Sequence, residues 1–473
     1  MDVFLPDPAI RRGGLTQGLY DHLRTAISEG RLGPGDRVPP SRQLAAQFGV
    51  SRHTVTTVYG RLVGEGYLEG AGGGGTRVST VFPAGAHGQA FSPGTLIARP
   101  GIPPAYAPEP GPVPGADLRL GTPDPTLFPH QQWRLRLTRE MRYGAADLGT
   151  YADPVGDPQL RTAIAHWAGA SRGVRAGAER VMVTAGAQQA FDLVLTALVS
   201  PGTVVAVEDP GYPRFRDLAR VRGATVEGVP VDDEGIVVDA LPSQATLVYV
   251  TPSHQFPLGC AMSLRRRQQL LHWARTHDAA IVEDDYDTEL RFTGRPVEPL
   301  HLLDPDGRVV YVGTFSKTLS PALRLGYLVA PATLMPSLRT LCQLTSVGGD
   351  PFSQRALAGL LADGSMAAHL RRLRRSYAPR RAVLSRHLAA DLGQRTTAIP
   401  AVAGLHVSLL LPPDVDETDL VRRAGQAGIA VEGLGRYATA GDPPAGIAIG
   451  IGAVDAETLD AALTRITKLL PSP

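Results

Sequence analysis

Residues 312–327 read VGTFSKTLSPALRLGY. An apolar, strand-like run ends there in a loop that carries Lys317, with Thr314, Ser316 and Arg324 around it. The chain has only two lysines, Lys317 and Lys468. Any chemistry that needs a primary side-chain amine therefore has two candidates. Lys468 lies near the end of a predicted terminal helix and reads as a solvated surface charge. An amine that forms a Schiff base must stand beside an aldehyde. Neighbouring hydroxyls and an arginine are the groups that hold a phosphate. An ordinary loop lysine fits the same spacing, so the surroundings have to decide.

Outward from this segment, apolar runs alternate with helical stretches from about residue 116 onward. The runs include VVAVE (204–208), TLVYV (246–250), AAIVE (279–283), VVYVG (309–313) and GYLVA (326–330). Short buried strands separated by helices predict an α/β domain with a mostly parallel sheet and helices on both faces. In such sheets ligands bind beyond the carboxyl ends of the strands. VMVTAGAQQAFDLVL (181–195) predicts a strand, a glycine turn and a helix, so the amides near Ala187 and Gln188 form an anion site. EDPGYPRFR (208–216) puts Tyr212 after a strand and a tight turn, where an aromatic ring can cover a flat cofactor. TPSHQFPLG (251–259) is a polar loop at a strand end. VEDDYDTELRF (282–292) ends another strand in Glu283, Asp284, Asp285 and Asp287. Four nearly successive carboxylates with no histidine in the segment cannot all face one ion, and no metal site is expected.

The first 80 residues differ in character. Leu19, Leu23 and Ile27 mark one helix. Ser41 is expected to cap a second helix, RQLAAQF, and Gly49 to end it. Ser51 is expected to cap a third, with Val55, Tyr59 and Leu62 on one face. Only Gly49-Val50-Ser51 joins the last two, which is the spacing of a helix-turn-helix. YLEGAGGGGTRVS then reads as two short strands around a glycine turn, a wing. The second helix of such a pair leads into the major groove with its N-terminal residues. Ser51, Arg52, Thr54 and Thr57 are the candidates for phosphate and base contacts, with Arg42 and Thr76 beside them. A small helical bundle for protein contacts has the same outline. Residues 81–115 are Pro/Gly/Ala-rich and nearly uncharged, and read as a linker. The expected organisation is 1–80 winged helix, 81–115 linker and 116–473 effector domain, with a small C-terminal α+β subdomain from about 350.

Composition sets outer bounds. The 473 residues carry a formal net charge of +2, so any nucleic-acid contact must come from a local module. Cys260 and Cys342 fit no metal spacing and read as reduced core thiols. No apolar stretch is long enough to span a membrane, and a cytoplasmic protein is expected. The arginine-dense LRRLRRSYAPRRAVLSRHL (370–388) reads as a solvated helix, although it could also add phosphate contacts.

Residues 15–79 resemble the GntR family of winged helices, most clearly in GRLGPGDRVPPSRQLA, GVSRHTV and LVGEGYLE. Residues 116–473 resemble fold-type I aminotransferases through EDPGYPR, TPSHQFPLG, EDDYDTELRF and GTFSKTLSPALRLGY. The combination resembles the MocR/GabR group of transcription regulators. That resemblance implies pyridoxal 5'-phosphate bound as a Schiff base on Lys317. It implies Asp284 on the pyridine nitrogen, Tyr286 on the ring hydroxyl and Tyr212 stacked on the ring. It also implies that Thr314, Ser316, Arg324 and the amides of Ala187 and Gln188 hold the phosphate. Arg214 and Arg436 become candidates for an effector carboxylate, and Arg42, Ser51, Arg52 and Thr54 for DNA. The implied partners are an operator duplex, an amine or amino-acid effector (or the cofactor itself) and a second copy in a homodimer. Two departures weigh against an efficient enzyme. His254-Gln255-Phe256-Pro257 stands where aminotransferases usually carry Asn-Pro, and GIAIGIG (446–452) lacks their carboxylate-binding arginine. A regulator with at most weak transamination is expected. The alternative is an active aminotransferase with an accessory DNA-binding domain.

Overall fold

The structure, a computed structural model, describes residues 14–70, 75–81, 102, 115–143, 149–291, 298–401, 403–439 and 443–471. The chain divides into two compact units, residues 1–98 and 99–473. Of the expected linker, only residues 81, 102 and 115 are among the described residues.

The first unit holds helices α1 (Leu15–Ser28), α2 (Ser41–Phe48) and α3 (Arg52–Gly64), followed by β1 (Leu68–Gly70) and β2 (Thr76–Val78). The strands pair antiparallel, Leu68 opposite Val78. Leu19, Leu23, Ile27, Leu44, Val55, Val58 and Leu62 close into one apolar core. Their three- and four-residue spacing puts them on the inner stripe of each helix. Gly49 ends α2 in the left-handed region at φ 64°, and Ser51 caps α3 by accepting the Thr54 amide at 3.0 Å. Ser41 does not cap α2. Pro40 takes the cap position with φ −53° and ψ 142°, and Leu44 N–H bonds back to its carbonyl. Proline's fixed φ suits that entry, which leaves Ser41 as the first helical residue.

The second unit is built on an eight-stranded sheet in the order β4-β11-β10-β9-β8-β5-β6-β7. Its strands are β4 (Val181–Thr184), β5 (Val204–Asp209), β6 (Thr225–Asp232), β7 (Gly235–Ile236), β8 (Ala245–Val250), β9 (Ala280–Asp285), β10 (Val309–Thr314) and β11 (Gly326–Val329). The central run from β10 to β6 is parallel, while β11 lies antiparallel to both β10 and β4. Side chains alternate between two cores. Leu247 and Tyr249 of β8 face one, and Val248 and Val250 the other. Residues near the start of this unit form β3 (Ala116–Asp117), parallel to β14 (Ile429–Ala430). The C-terminal portion adds a four-stranded antiparallel sheet of β12 (Thr397–Ala398), β13 (His406–Leu410), β16 (Gly446–Gly450) and β15 (Glu432–Gly433). A 24-residue helix, Ser365–Leu388, runs beside it and buries Leu370, Leu373, Tyr377 and Leu384. Its arginines take separate roles. Arg380 is buried on the carbonyls of Ile451 and Gly452, whereas Arg371 and Arg375 are exposed.

A Cβ at Gly49 would meet nothing within 4 Å, so the cost of a side chain there is backbone strain alone. Gly49→Ala should destabilise the first unit by about 1 kcal/mol. Hydrogen exchange of α2 and α3 peptides in the full chain should accelerate several-fold, with Gly49→Asn showing a smaller effect.

Candidate functional site

Four parallel strands, β5, β8, β9 and β10, release their chains at one edge of the sheet. The turn with Tyr212, the loop 251–259, the residues 284–287 and the loop of Lys317 all leave from there. This is the edge where open α/β sheets bind ligands.

Asp284 is the penultimate residue of β9 and is buried. The Tyr249 hydroxyl donates to its Oδ2 at 2.7 Å, while Oδ1 is buried without a partner. Burial pushes the carboxyl up to about 7, against the pull of the Tyr249 bond and Lys317. A buried acceptor left open in this way calls for a donor. Lys317 is half-buried, and its Nζ donates to the Gly121 carbonyl at 2.6 Å. Tyr286 is half-buried, and its hydroxyl donates to the His254 carbonyl at 2.8 Å. Burial and the nearby Asp287 raise that phenol well above its usual range, so it stays a donor. His254 in turn gives Nδ1 to Asp287 at 2.9 Å, and the His406 ring lies 4.4 Å away.

A second cluster forms where β4 and β11 meet the helix Ala187–Leu198. That helix begins after Gly186 with no side-chain cap, leaving the Ala187 and Gln188 amides as open donors. Arg324 reaches over to donate to the Ala185 carbonyl at 2.7 Å. A Cβ on Gly186 would lie 3.1 Å from its guanidinium. Thr314 Oγ1 donates to Ser316 Oγ at 3.0 Å. Gln188 donates to the Tyr212 hydroxyl at 3.2 Å, which ties the aromatic to this cluster. Open amides, two hydroxyls and a guanidinium suit a phosphate. The open Asp284 oxygen suits a protonated ring nitrogen, and the Lys317 amine suits an aldehyde. The residues present fit a phosphorylated pyridine aldehyde.

The clustered acids of 283–287 diverge. Glu283 accepts the Leu300 and His301 amides, Asp285 accepts Tyr311, and Asp287 meets His254. Alternation along β9 turns only Asp284 to the other face, and partners from separate segments hold the other three apart. Among the described residues, His254, Asp287 and His406 come close enough to share an ion. However, His254 Nδ1 is engaged by Asp287, and His406 Nε2 meets the Pro257 carbonyl at 3.1 Å.

Arg214 follows Tyr212 in the first turn of the helix Pro213–Val221. Arg436 is half exposed and pairs with Glu432 at 3.0 Å. Their segments meet, because Gly211 N–H bonds to the Tyr437 carbonyl and Thr439 N–H to Asp209. The late strand β16 carries no arginine.

Sequence reading missed Glu208, Tyr249, Asp287 as a partner of His254, and Gly121. Glu208 is fully buried, accepts from Thr251 and Gln255, and is pushed by burial to about 7. It thereby joins the Tyr212 turn to the 251–259 loop. Its position inside a strand gave it the look of a core residue beside a turn. Tyr249 likewise looked like core, and Gly121 like an ordinary turn.

On the first unit, Ser51, Arg52 and Thr57 are exposed and Thr54 is half-buried at the start of α3. Arg52 Nε reaches Ser41 Oγ at 3.4 Å, which draws the exposed Arg42 end of α2 toward the same surface. Thr76 lies on the wing strand β2, opposite Gly70.

Residues 15–78 match the family of bacterial regulatory proteins of the gntR type, and residues 117–466 match aminotransferase class I and II. Among curated relatives, the probable rhizopine catabolism regulatory protein MocR of Rhizobium meliloti is 37% identical, covering 93% of this chain and 90% of its own. The pyridoxine biosynthesis transcriptional regulator PdxR of Corynebacterium glutamicum is 36% identical, covering 95% and 94%. Among solved structures, the kynurenine aminotransferase of Pyrococcus horikoshii aligns with a TM-score of 0.71 at 27% identity, covering 75% of this chain and 90% of its own. The cofactor of such a domain is pyridoxal 5'-phosphate. The chain therefore belongs to the MocR-type DNA-binding transcription regulators, in which a GntR winged helix precedes an aminotransferase-like domain.

Proposed function

We propose that this regulator senses an amine, an amino acid or pyridoxal 5'-phosphate itself at Lys317 and converts that binding into a change of operator affinity. The observation that carries the reading is the buried Asp284 oxygen without a partner, close to one of the chain's two lysines, in a chain that also carries a winged helix. Bound there, the cofactor supplies an aldehyde that combines with amines and a ring that withdraws electrons when its nitrogen is protonated. Asp284 holds that proton in place. Tyr286 donates toward the ring hydroxyl, Tyr212 covers the ring face, and Thr314, Ser316, Arg324, Ala187 and Gln188 hold the phosphate. Arg214 and Arg436 orient an effector carboxylate. Arg42, Ser51, Arg52, Thr54, Thr57 and Thr76 contact the operator. The regulator acts as a cytoplasmic homodimer. The absence of an arginine from β16 favours sensing over steady turnover, because a carboxylate anchor used by the enzymes is missing.

A ligand shifts an equilibrium only by its differential affinity for the two states. Footprinting with and without pyridoxal 5'-phosphate and candidate amines should therefore show ligand-dependent protection. Absence of operator binding under every condition would sink the proposal. Lys317→Ala should abolish visible cofactor absorbance and the response to amines, whereas Lys468→Ala should retain both.

Arg52→Ala should weaken operator binding about tenfold or more and lower its salt dependence, as loss of a phosphate or base contact does. Full affinity in this variant, measured across a salt series, would remove Arg52 from the interface.

Asp284, Glu208 and Glu283 are all raised to about 7 by burial. A raised carboxyl binds its proton more tightly in the folded chain than in the unfolded one. Stability is then greatest in acid and falls as pH rises through about 7. The cofactor-free chain should melt lower at about pH 8 than at about pH 5.5. Asp284→Asn should reduce that difference in thermal denaturation.

A further inference from the structure

Two groups of the effector site converge on one short segment of backbone. Lys317 Nζ donates to the Gly121 carbonyl at 2.6 Å. One residue earlier, the Leu120 amide donates to Glu432 Oε2 at 2.8 Å, and the other oxygen of Glu432 pairs with Arg436 at 3.0 Å. Gly121 adopts φ 78°, and a Cβ there would lie 2.8 Å from Nζ. Glycine thus permits both the turn and the approach of the amine. The segment is held at both ends. Leu118 N–H bonds to the Ala430 carbonyl, and Gly450 N–H bonds to the Leu118 carbonyl. Asp124 N–H bonds to the Tyr377 hydroxyl at 3.1 Å, and Arg380 pairs with the Asp124 carboxylate. It directly follows β3, the first described strand after residues 81–115.

We propose that Leu120–Gly121 reads the state of the effector site, with the Gly121 carbonyl accepting the Lys317 amine only when that amine is uncombined and the Leu120 amide held by the carboxylate that pairs with Arg436. This rests on the reading of Lys317 as the residue that combines with the cofactor. When the neutral lysine amine combines with an aldehyde, one C=N bond forms, one water leaves, and the nitrogen gives up both its hydrogens. It then has nothing to donate to Gly121. When an effector amine takes its place, two hydrogens pass from the effector nitrogen to Nζ, and the bond to Gly121 returns. An effector carboxylate at Arg436 competes with Glu432 for the guanidinium and changes the hold on Leu120. An effector bearing both groups, an amino acid, acts on both neighbouring residues at once. A simple amine acts on one.

The test is hydrogen exchange, read by mass spectrometry on peptides covering 116–127 of the full chain. One sample is loaded with pyridoxal 5'-phosphate and one with pyridoxamine 5'-phosphate, which has no aldehyde and leaves Lys317 uncombined. Exchange should be about tenfold slower with the pyridoxamine form, the scale of one hydrogen bond. Gly121→Ala should erase the difference. Glu432→Gln, which keeps the shape of the side chain, should speed exchange at Leu120 in both loadings, and serves if Gly121→Ala fails to fold. Equal exchange in the two loadings of the unmodified chain would overturn the proposal, as would an unchanged Leu120 in Glu432→Gln. Borohydride reduction of the pyridoxal sample, followed by peptide mapping, separates the two failures. Label on Lys317 with equal exchange refutes the segment's role alone, and label on Lys468 refutes the underlying reading as well.

Discussion

The buried carboxyl of Asp284 is the constraint on which the second unit turns. A carboxyl taken out of water at the end of a central strand is costly unless something answers it. Tyr249 answers one oxygen, and the other stays open inside the protein. A protonated ring nitrogen would satisfy that oxygen and return the carboxyl to its charged form. The same sheet edge brings the Lys317 amine and an anion cradle into range, so one small molecule can meet all three requirements. The fold places them together because β5, β8, β9 and β10 run parallel and end at the same level.

Around that centre, buried polar side chains act as ties between loops. Glu208 and Gln255 join the Tyr212 turn to the 251–259 loop, and His254 with Asp287 joins that loop to the end of β9. Glu432 joins the Arg436 turn to residue 120. Each tie has two sides, so a ligand that changes one side changes the other. Packed interiors pass such shifts on as discrete rearrangements, since they deform little. A binding fold thereby becomes a fold that can report binding.

Much of this was legible in the sequence, for physical reasons. The five apolar runs became β5, β8, β9, β10 and β11 within a residue or two, because buried strands need unbroken apolar stretches. Gly49 and Ser51 marked their helix ends because left-handed backbone and open amides restrict the choice of residue. Ser41 misled because a cap preference is local, while Pro40 had already fixed the entry. Lys317, Asp284 and Arg324 stood out through rarity and motif. Gly121 and Glu432 did not, because the two are more than 300 positions apart and their roles exist only after β3 and β14 pair. The divergence of Glu283, Asp285 and Asp287 likewise depends on partners from remote segments.

The most direct measurement of the central claim is a crystal structure of the full chain with pyridoxal 5'-phosphate. The account predicts continuous density from Lys317 Nζ to the cofactor, with the ring nitrogen about 2.8 Å from Asp284 Oδ1. Cofactor density away from Lys317, or a ring nitrogen turned from Asp284, would contradict it.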